Sequence, residues 1–315
     1  MNSSDLLASF FAGSRRALAK VITAVENETS EAPALLHAIY GRVGKAYRLG
    51  ITGPPGAGKS TIVDELTKLL RRFNHSVGIV AVDPSSPFTG GALLGDRVRM
   101  ADISVDPGVF IRSMATRGSL GGLSQKAQEA GDVLDAFGKD FVIYETVGVG
   151  QSELDIVETA DTVIVVLVPE SGDAVQAMKA GLMEIADIFV MNKSDRAGAA
   201  RALHELSAIL HLRPPAPWHP PVVAATASQG KGLEEIWQQV TAHREFLERQ
   251  GHLHLKRRHR RETMIRELVA RRLQQEFWDE RAEQLLHDHL HDFHENSLSP
   301  YEVVAALMQN AAARR

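Results

Sequence analysis

The chain has no cysteine in 315 residues, which excludes disulfides, thiolate metal sites and cysteine nucleophiles and fits a reducing compartment. Aromatic residues are sparse at 6%, and no apolar run approaches the roughly 18 residues that a membrane-spanning helix requires. An excess of charge of either sign is also lacking. The formal net charge is −4, so electrostatics gives no reason to expect nucleic acid or an anionic membrane as the main partner. The N-terminus carries Asp5 and no sustained apolar stretch, against a secretory signal; Arg15, Arg16 and early serines leave a mitochondrial transit reading open, and the cytoplasm is the expected location. What is present is a core: 44% of residues are hydrophobic, ample for one large or two modest domains.

Residues 5–45 read as two helices, with Leu6, Leu7, Phe10 and Phe11 and then Leu18, Val21, Ile22 and Val25 at helical spacing. From 47 to 240 apolar runs alternate with helical patterns, with strands expected near 47–53, 77–82, 108–112, 141–145, 162–168, 186–191 and 221–225. Such alternation predicts an α/β fold: a doubly wound, mostly parallel sheet with helices on both faces. Pro214, Pro215, Pro217, Pro220 and Pro221 form a stiff connector into the last strand. Beyond about 243 the chain is charged and strand-free, with apolar stripes at Leu268, Leu273 and Phe277, at Leu285, Leu286 and Leu290, and at Val303, Val304 and Leu307. The basic run Lys256 to Arg261 heads that helical pattern and reads as a solvated face. The expected division is an N-terminal helical extension (1–45), a nucleotide-binding domain (46–245) and a C-terminal helical region (246–315), whose stripes suit packing on the core or a homodimer equally.

The stretch Gly53-Pro54-Pro55-Gly56-Ala57-Gly58-Lys59-Ser60 is a complete phosphate-binding loop, placed between a strand-like run and a helix-like run that continues through Thr61. Its glycines let successive backbone N–H groups turn inward to phosphate oxygens, and the helix adds its positive end. Lys59 is expected at the β/γ-phosphates and the Ser60 hydroxyl on Mg²⁺. After the apolar run 185–191 stands Asn192-Lys193-Ser194-Asp195, delivered by a parallel strand to the carboxyl edge where ligands bind. A carboxylate at Asp195 accepts from the ring N–H and exocyclic amine of guanine, whereas adenine leaves it unpaired. Losing two charge-assisted hydrogen bonds, each about 1.5–3 kcal/mol, discriminates by roughly 10³–10⁴. The two motifs together point to GTP and GDP.

The remaining site candidates lie at other strand ends. Asp83 follows the second strand and faces the nucleotide, and Asp96, beside Arg97 and Arg99, sits in a first switch segment after Gly90-Gly91. Glu145 ends the fourth strand, with Gly148 three residues on to meet the γ-phosphate; Gln151 is a candidate for orienting water, and Arg117 for an internal arginine finger. Most GTPases carry aspartate where this chain has Glu145. Thr226-Ala227-Ser228 follows the last strand, where the Ala227 N–H is expected to donate to guanine O6. The expected chemistry is Mg²⁺-dependent GTP hydrolysis with Lys59, Asp83, Asp96, Glu145 and Gln151 as its working residues.

The runs G-P-P-G-A-G-K-S-T, V-D-P-S-S-P-F-T-G-G-A-L-L-G-D-R-V-R-M, M-A-T-R-G-S-L-G-G-L-S, E-T-V-G-V-G-Q-S-E and N-K-S-D together closely resemble the MeaB/ArgK family of methylmalonyl-CoA mutase-associated GTPases, over nearly the whole chain. The resemblance implies a GTPase chaperone of an adenosylcobalamin-dependent acyl-CoA mutase, gating cofactor loading and protecting or reactivating the mutase. It also implies homodimers formed through the C-terminal helices. By matching positions it puts Lys59, Ser60, Asp83, Asp96 and Glu145 at the phosphates and Mg²⁺ and Asn192 and Asp195 at the base. The segment Glu170 to Lys179 resembles the family's extra switch loop. The chain departs at Thr226-Ala227, where the family pattern is Ser-Ala. Two alternatives stay open: an arginine/ornithine transport-associated kinase, and a metal-delivery GTPase using His287, His289, His291 and His294, of which His287 and His291 are an i,i+4 pair.

Overall fold

Strands buried along their whole length need cover on both faces, which only the interior of a helix-flanked parallel sheet provides. The computed structural model describes residues 2–83, 100–115, 122–146, 152–169, 181–291 and 299–312. Its strands are β1 (Tyr47–Thr52), β2 (Val77–Asp83), β3 (Val109–Ala115), β4 (Phe141–Glu145), β5 (Thr162–Leu167), β6 (Ile188–Met191) and β7 (Val222–Ala224). Every residue of β1, β4, β5 and β6 is buried. The seven pair in the order β3-β2-β4-β1-β5-β6-β7, all parallel. The order reverses at β1, the topological switch point where ligands of such sheets bind.

Alternate side chains along each strand feed two cores. Val163, Val165 and Leu167 of β5 join one, and Ile164 and Val166 the other. The second core is closed by α4 (Lys59–Arg72), through Ile62, Leu66 and Leu70, and by α10 (Leu233–Arg249), through Leu233, Ile236 and Val240. The first is closed by α6 (Gly122–Ala136), α7 (Ser152–Thr159), α9 (Ala199–His211) and the N-terminal helices. Short helices α5 (Ala101–Ser104) and α8 (Leu182–Ile185) lie in the connections before β3 and β6.

The lead-in has three helices rather than two: α1 (Ser3–Phe11), α2 (Arg15–Glu26) and α3 (Ala32–Ile39). Gly13, at φ +85°, ends the first, and the Ser14 hydroxyl caps the second by accepting from the Ala17 N–H at 3.3 Å. A break at Asn27 and Glu28 with Pro33 in the next first turn starts the third. Leu18, Val21 and Ile22 of α2 are fully buried in the first core, so the lead-in is part of the sheet's packing. Just before β1, the Asp135 carboxylate accepts the N–H groups of Gly44 (2.7 Å), Lys45 (3.1 Å) and Ala46 (2.9 Å), while Arg48 binds Asp132 at 2.5 Å. This lock fixes where β1 starts and hence where the loop after it emerges.

The chain divides into two compact units, Met1–Lys256 and Arg257–Arg315, and the boundary falls inside α11 (His252–Phe277). The second unit comprises the rest of α11 with α12 (Glu280–His291) and α13 (Pro300–Ala312). Asp279 caps α12, and Ser299 with Glu302 forms a capping box on α13. Ala282, Val303 and Leu307 are buried there, whereas Ile265, Leu268, Val269, Leu273, Leu290, Val304 and Met308 are exposed. The basic run at the head of α11 is not wholly a solvated face: Arg260 is buried, and Lys256 is half-buried with its ammonium donating to the Asp161 carbonyl at 2.9 Å. Among the described residues no helix is long and apolar enough to cross a membrane.

At the amino ends of the strands a buried polar chain joins β1, β5 and α10. The Tyr47 hydroxyl meets Thr162 Oγ1 at 2.6 Å, which meets His243 Nδ1 at 2.8 Å, and His243 Nε2 lies 3.4 Å from Asp187. Burial pushes the His243 imidazole below its usual value; Asp187 opposes that shift and Lys256 adds to it. The folded state thus refuses a proton that the unfolded chain accepts near pH 6.5, so this contribution to stability is present above that pH and is lost as pH falls through it. Urea unfolding at pH 8 and pH 5.5 is expected to show a smaller acid-induced loss in His243→Gln than in the parent chain. Equal losses would remove His243 as a source of the acid sensitivity.

Candidate nucleotide site

The loop from 53 to 58 leaves β1 at the switch point, and backbone geometry explains its glycines. Gly53 adopts φ +138°, and a Cβ there would collide with the Val166 carbonyl of β5. Gly58 adopts φ +88° at the N-cap of α4, where a Cβ would strike the Asn192 amide. Gly56 is also left-handed, at φ +75°. Both requirements, a positive φ and close backbone approach, exclude side chains. The loop thereby presents backbone N–H groups and the positive end of α4 to one place.

Lys59, buried, donates to the Gly53 carbonyl at 2.8 Å and the Pro54 carbonyl at 3.0 Å, so its ammonium lies across the loop mouth. Ser60 Oγ donates to Glu145 Oε1 at 2.5 Å, bringing the first turn of α4 and the end of β4 together. Thr61 is exposed on the next position. Beside Glu145, Thr146 donates to Thr52 Oγ1 at 2.8 Å, tying the ends of β4 and β1. A hydroxyl and a carboxylate in hydrogen-bond contact make an oxygen pair of the kind that hard divalent cations take. Asp83 ends β2 at the same edge, with its side chain outside the described residues; Asp96, Arg117, Gly148, Gln151 and the segment 170–180 lie outside them too.

At the end of β6, Asn192 is buried and works as a brace. Its Nδ2 donates to the Ala57 carbonyl at 2.8 Å, and its Oδ1 accepts the Ala227 N–H at 3.1 Å. The residue expected at the base therefore holds the phosphate loop to the loop after β7. The Ala227 N–H, expected on guanine O6, is already engaged with Asn192. Lys193, at φ +56°, donates to the Gly56 carbonyl at 2.7 Å. The Ser194 N–H donates to the Ala225 carbonyl and its hydroxyl to the Met191 carbonyl, leaving Asp195 exposed at the rim. Thr226 closes its loop by a two-way bridge with Lys231. The Asn192 brace, the Thr52–Thr146 bond and the Asp135 lock were missed by sequence reasoning, because each joins residues far apart in the chain. The loop at 53–58, the tetrapeptide at 192–195 and the loop after β7 thus meet at one edge.

The model of the family described as methylmalonyl Co-A mutase-associated GTPase MeaB matches residues 18–282. The chain belongs to this family. A protein named as a GTPase from Pyrococcus abyssi (strain GE5 / Orsay) is 56% identical over 262 residues, covering 82% of this chain and 81% of that one. The GTPase ArgK of Escherichia coli (strain K12) is 41% identical over 250 residues, with 76% of each chain covered. A solved structure titled as a LAO/AO transport system kinase superposes with a TM-score of 0.75 at 30% identity, covering 99% of both chains. As a MeaB-family P-loop GTPase the chain binds GTP and hydrolyses it to GDP and phosphate.

The brace gives a direct test. Asn192→Ala removes both hydrogen bonds, each about 1 kcal/mol net, and should weaken GDP binding roughly 10- to 30-fold while leaving the fold intact. GDP titration with a circular-dichroism melt checks this; parent-like affinity in a folded variant would contradict the role.

Proposed function

We propose that this GTPase acts as a chaperone for an adenosylcobalamin-dependent acyl-CoA mutase of the methylmalonyl-CoA mutase type, using GTP to gate cofactor loading and to protect or reactivate its client in the cytoplasm. The observation that carries the reading is the match of residues 18–282 to a family described as mutase-associated. In support, a mouse relative named methylmalonic aciduria type A homolog, mitochondrial, is 34% identical over 284 residues, covering 84% of this chain and 68% of its own. The exposed apolar residues on α11, α12 and α13 support a homodimer built on the C-terminal helices, since a face of this kind is stabilised by burial against a second copy.

Phosphoryl transfer needs position and charge more than covalent help. Binding of GTP would draw the Lys59 ammonium from the Gly53 and Pro54 carbonyls to the β/γ-phosphates, where it offsets charge that grows in the transition state. Ser60 and Glu145 would hold Mg²⁺, with Asp83 and Asp96 as further oxygen donors; the ion supplies charge neutralisation at the phosphates. Asp195 would read the base, and Gly148 and Gln151 would meet the γ-phosphate and the attacking water.

The decisive experiment mixes the purified chain with a cobalamin-dependent acyl-CoA mutase and GTP. Co-elution, faster GTP turnover and nucleotide-dependent cofactor transfer are expected, with turnover abolished in Lys59→Ala. Labelled phosphate appearing on a transport protein, with no effect of the mutase, would replace this reading by the kinase alternative.

A further inference from the structure

The carboxyl ends of the strands carry the nucleotide machinery; at their amino ends lies a second cavity, of about 970 Å³. It is bounded by the residues that lead into β6 and β7, by the end of α9, and by α10 and the first residue of α11. Its volume falls in the range of small-molecule sites, roughly 300–1,000 Å³. No step of GTP hydrolysis uses it.

One wall is poor in backbone donors. Pro214, Pro215, Pro217, Pro220 and Pro221 lack N–H groups, which disfavours pairing with an added strand. Trp218 turns its indole N–H inward, donating to the Asp187 carbonyl at 2.8 Å, and its ring lies 4.7 Å from His243 and 5.3 Å from Phe246 between centroids. The half-buried indole thus offers the cavity ring surface and no donor. Such a wall suits a flat apolar body.

The polar lining holds one guanidinium. Arg213 is half-buried, and its guanidinium has no hydrogen-bond or ion-pair partner among the described residues. His211, His219 and His252 line the same cavity. Of the two carboxylates, Asp187 is committed to the Val163 N–H at 2.8 Å and to Lys256 at 3.4 Å, and Glu184 is exposed, where water and salt screen it. A half-buried guanidinium without a counter-ion favours an anionic group that can accept its paired N–H donors.

We propose that this cavity binds a small aromatic molecule carrying one anionic group, its ring against Trp218 and the proline wall and its anion on Arg213. The proposal stands on the cavity alone and not on the client reading. The probe is 2-naphthoate, titrated into the full-length chain by calorimetry, with neutral 2-naphthalenemethanol as the uncharged comparison. One saturable site per chain is expected, undisturbed by GDP, at least tenfold weaker for the alcohol and at least tenfold weaker in Arg213→Gln. Trp218→Leu should abolish it, and both variants should keep parent-like GDP affinity, which shows that they are folded. Absence of saturable binding, displacement by GDP, or unchanged affinity in a folded Arg213→Gln variant would overturn the proposal.

Discussion

Asn192 holds the site together. One buried amide spends its donor on the phosphate loop at Ala57 and its acceptor on the loop after β7 at Ala227. Side-chain amides offer both functions on one rigid plane, which no carboxylate or ammonium can do. The loop at 53–58 and the loop after β7 are therefore set at a fixed separation by a single residue, and Gly58 must lack a Cβ for that residue to fit. Lys193, donating to Gly56, repeats the link on the exposed side.

The sheet supplies the frame for this brace. β1, β5 and β6 are adjacent and parallel, so their carboxyl ends arrive side by side, and the loop carrying Lys59 emerges where the strand order reverses. The Asp135 lock holds the start of β1 and the Thr52–Thr146 bond holds its end. Glu145, one residue before Thr146, is placed by the same contact beside Ser60. Fold and candidate site thus share residues: the bonds that register the central strands also bring the Ser60 hydroxyl and the Glu145 carboxylate together.

Much of this was legible in the chain. Continuous apolar runs bounded by turn residues marked all seven strands, most plainly β1, β4, β5 and β6, which are buried on both faces and leave no polar alternation to confuse them with a helix face. β3 ran longer than its expected 108–112, to Ala115, because Ser113 looks like strand-ending polarity in sequence yet pairs with Ala81, while Arg112 pairs with Val80 and meets Glu26. The turn of the loop at 53–58 and the place of the 192–195 tetrapeptide at a strand end were legible since each is a contiguous run. The Asn192 brace was not, as its partners stand 135 and 35 residues away. The third lead-in helix was hidden too: periodicity through 5–45 shows apolar positions but not that Asn27 and Glu28 interrupt the backbone.

The account rests on a guanine nucleotide held between the loop at 53–60 and the rim at Asp195. Calorimetry with Mg²⁺ and the folded chain tests it most directly. The account predicts one GDP site per chain and ADP weaker by roughly 10³ or more, from the two charge-assisted bonds that adenine cannot make. No heat with GDP, or equal affinity for ADP, would contradict it.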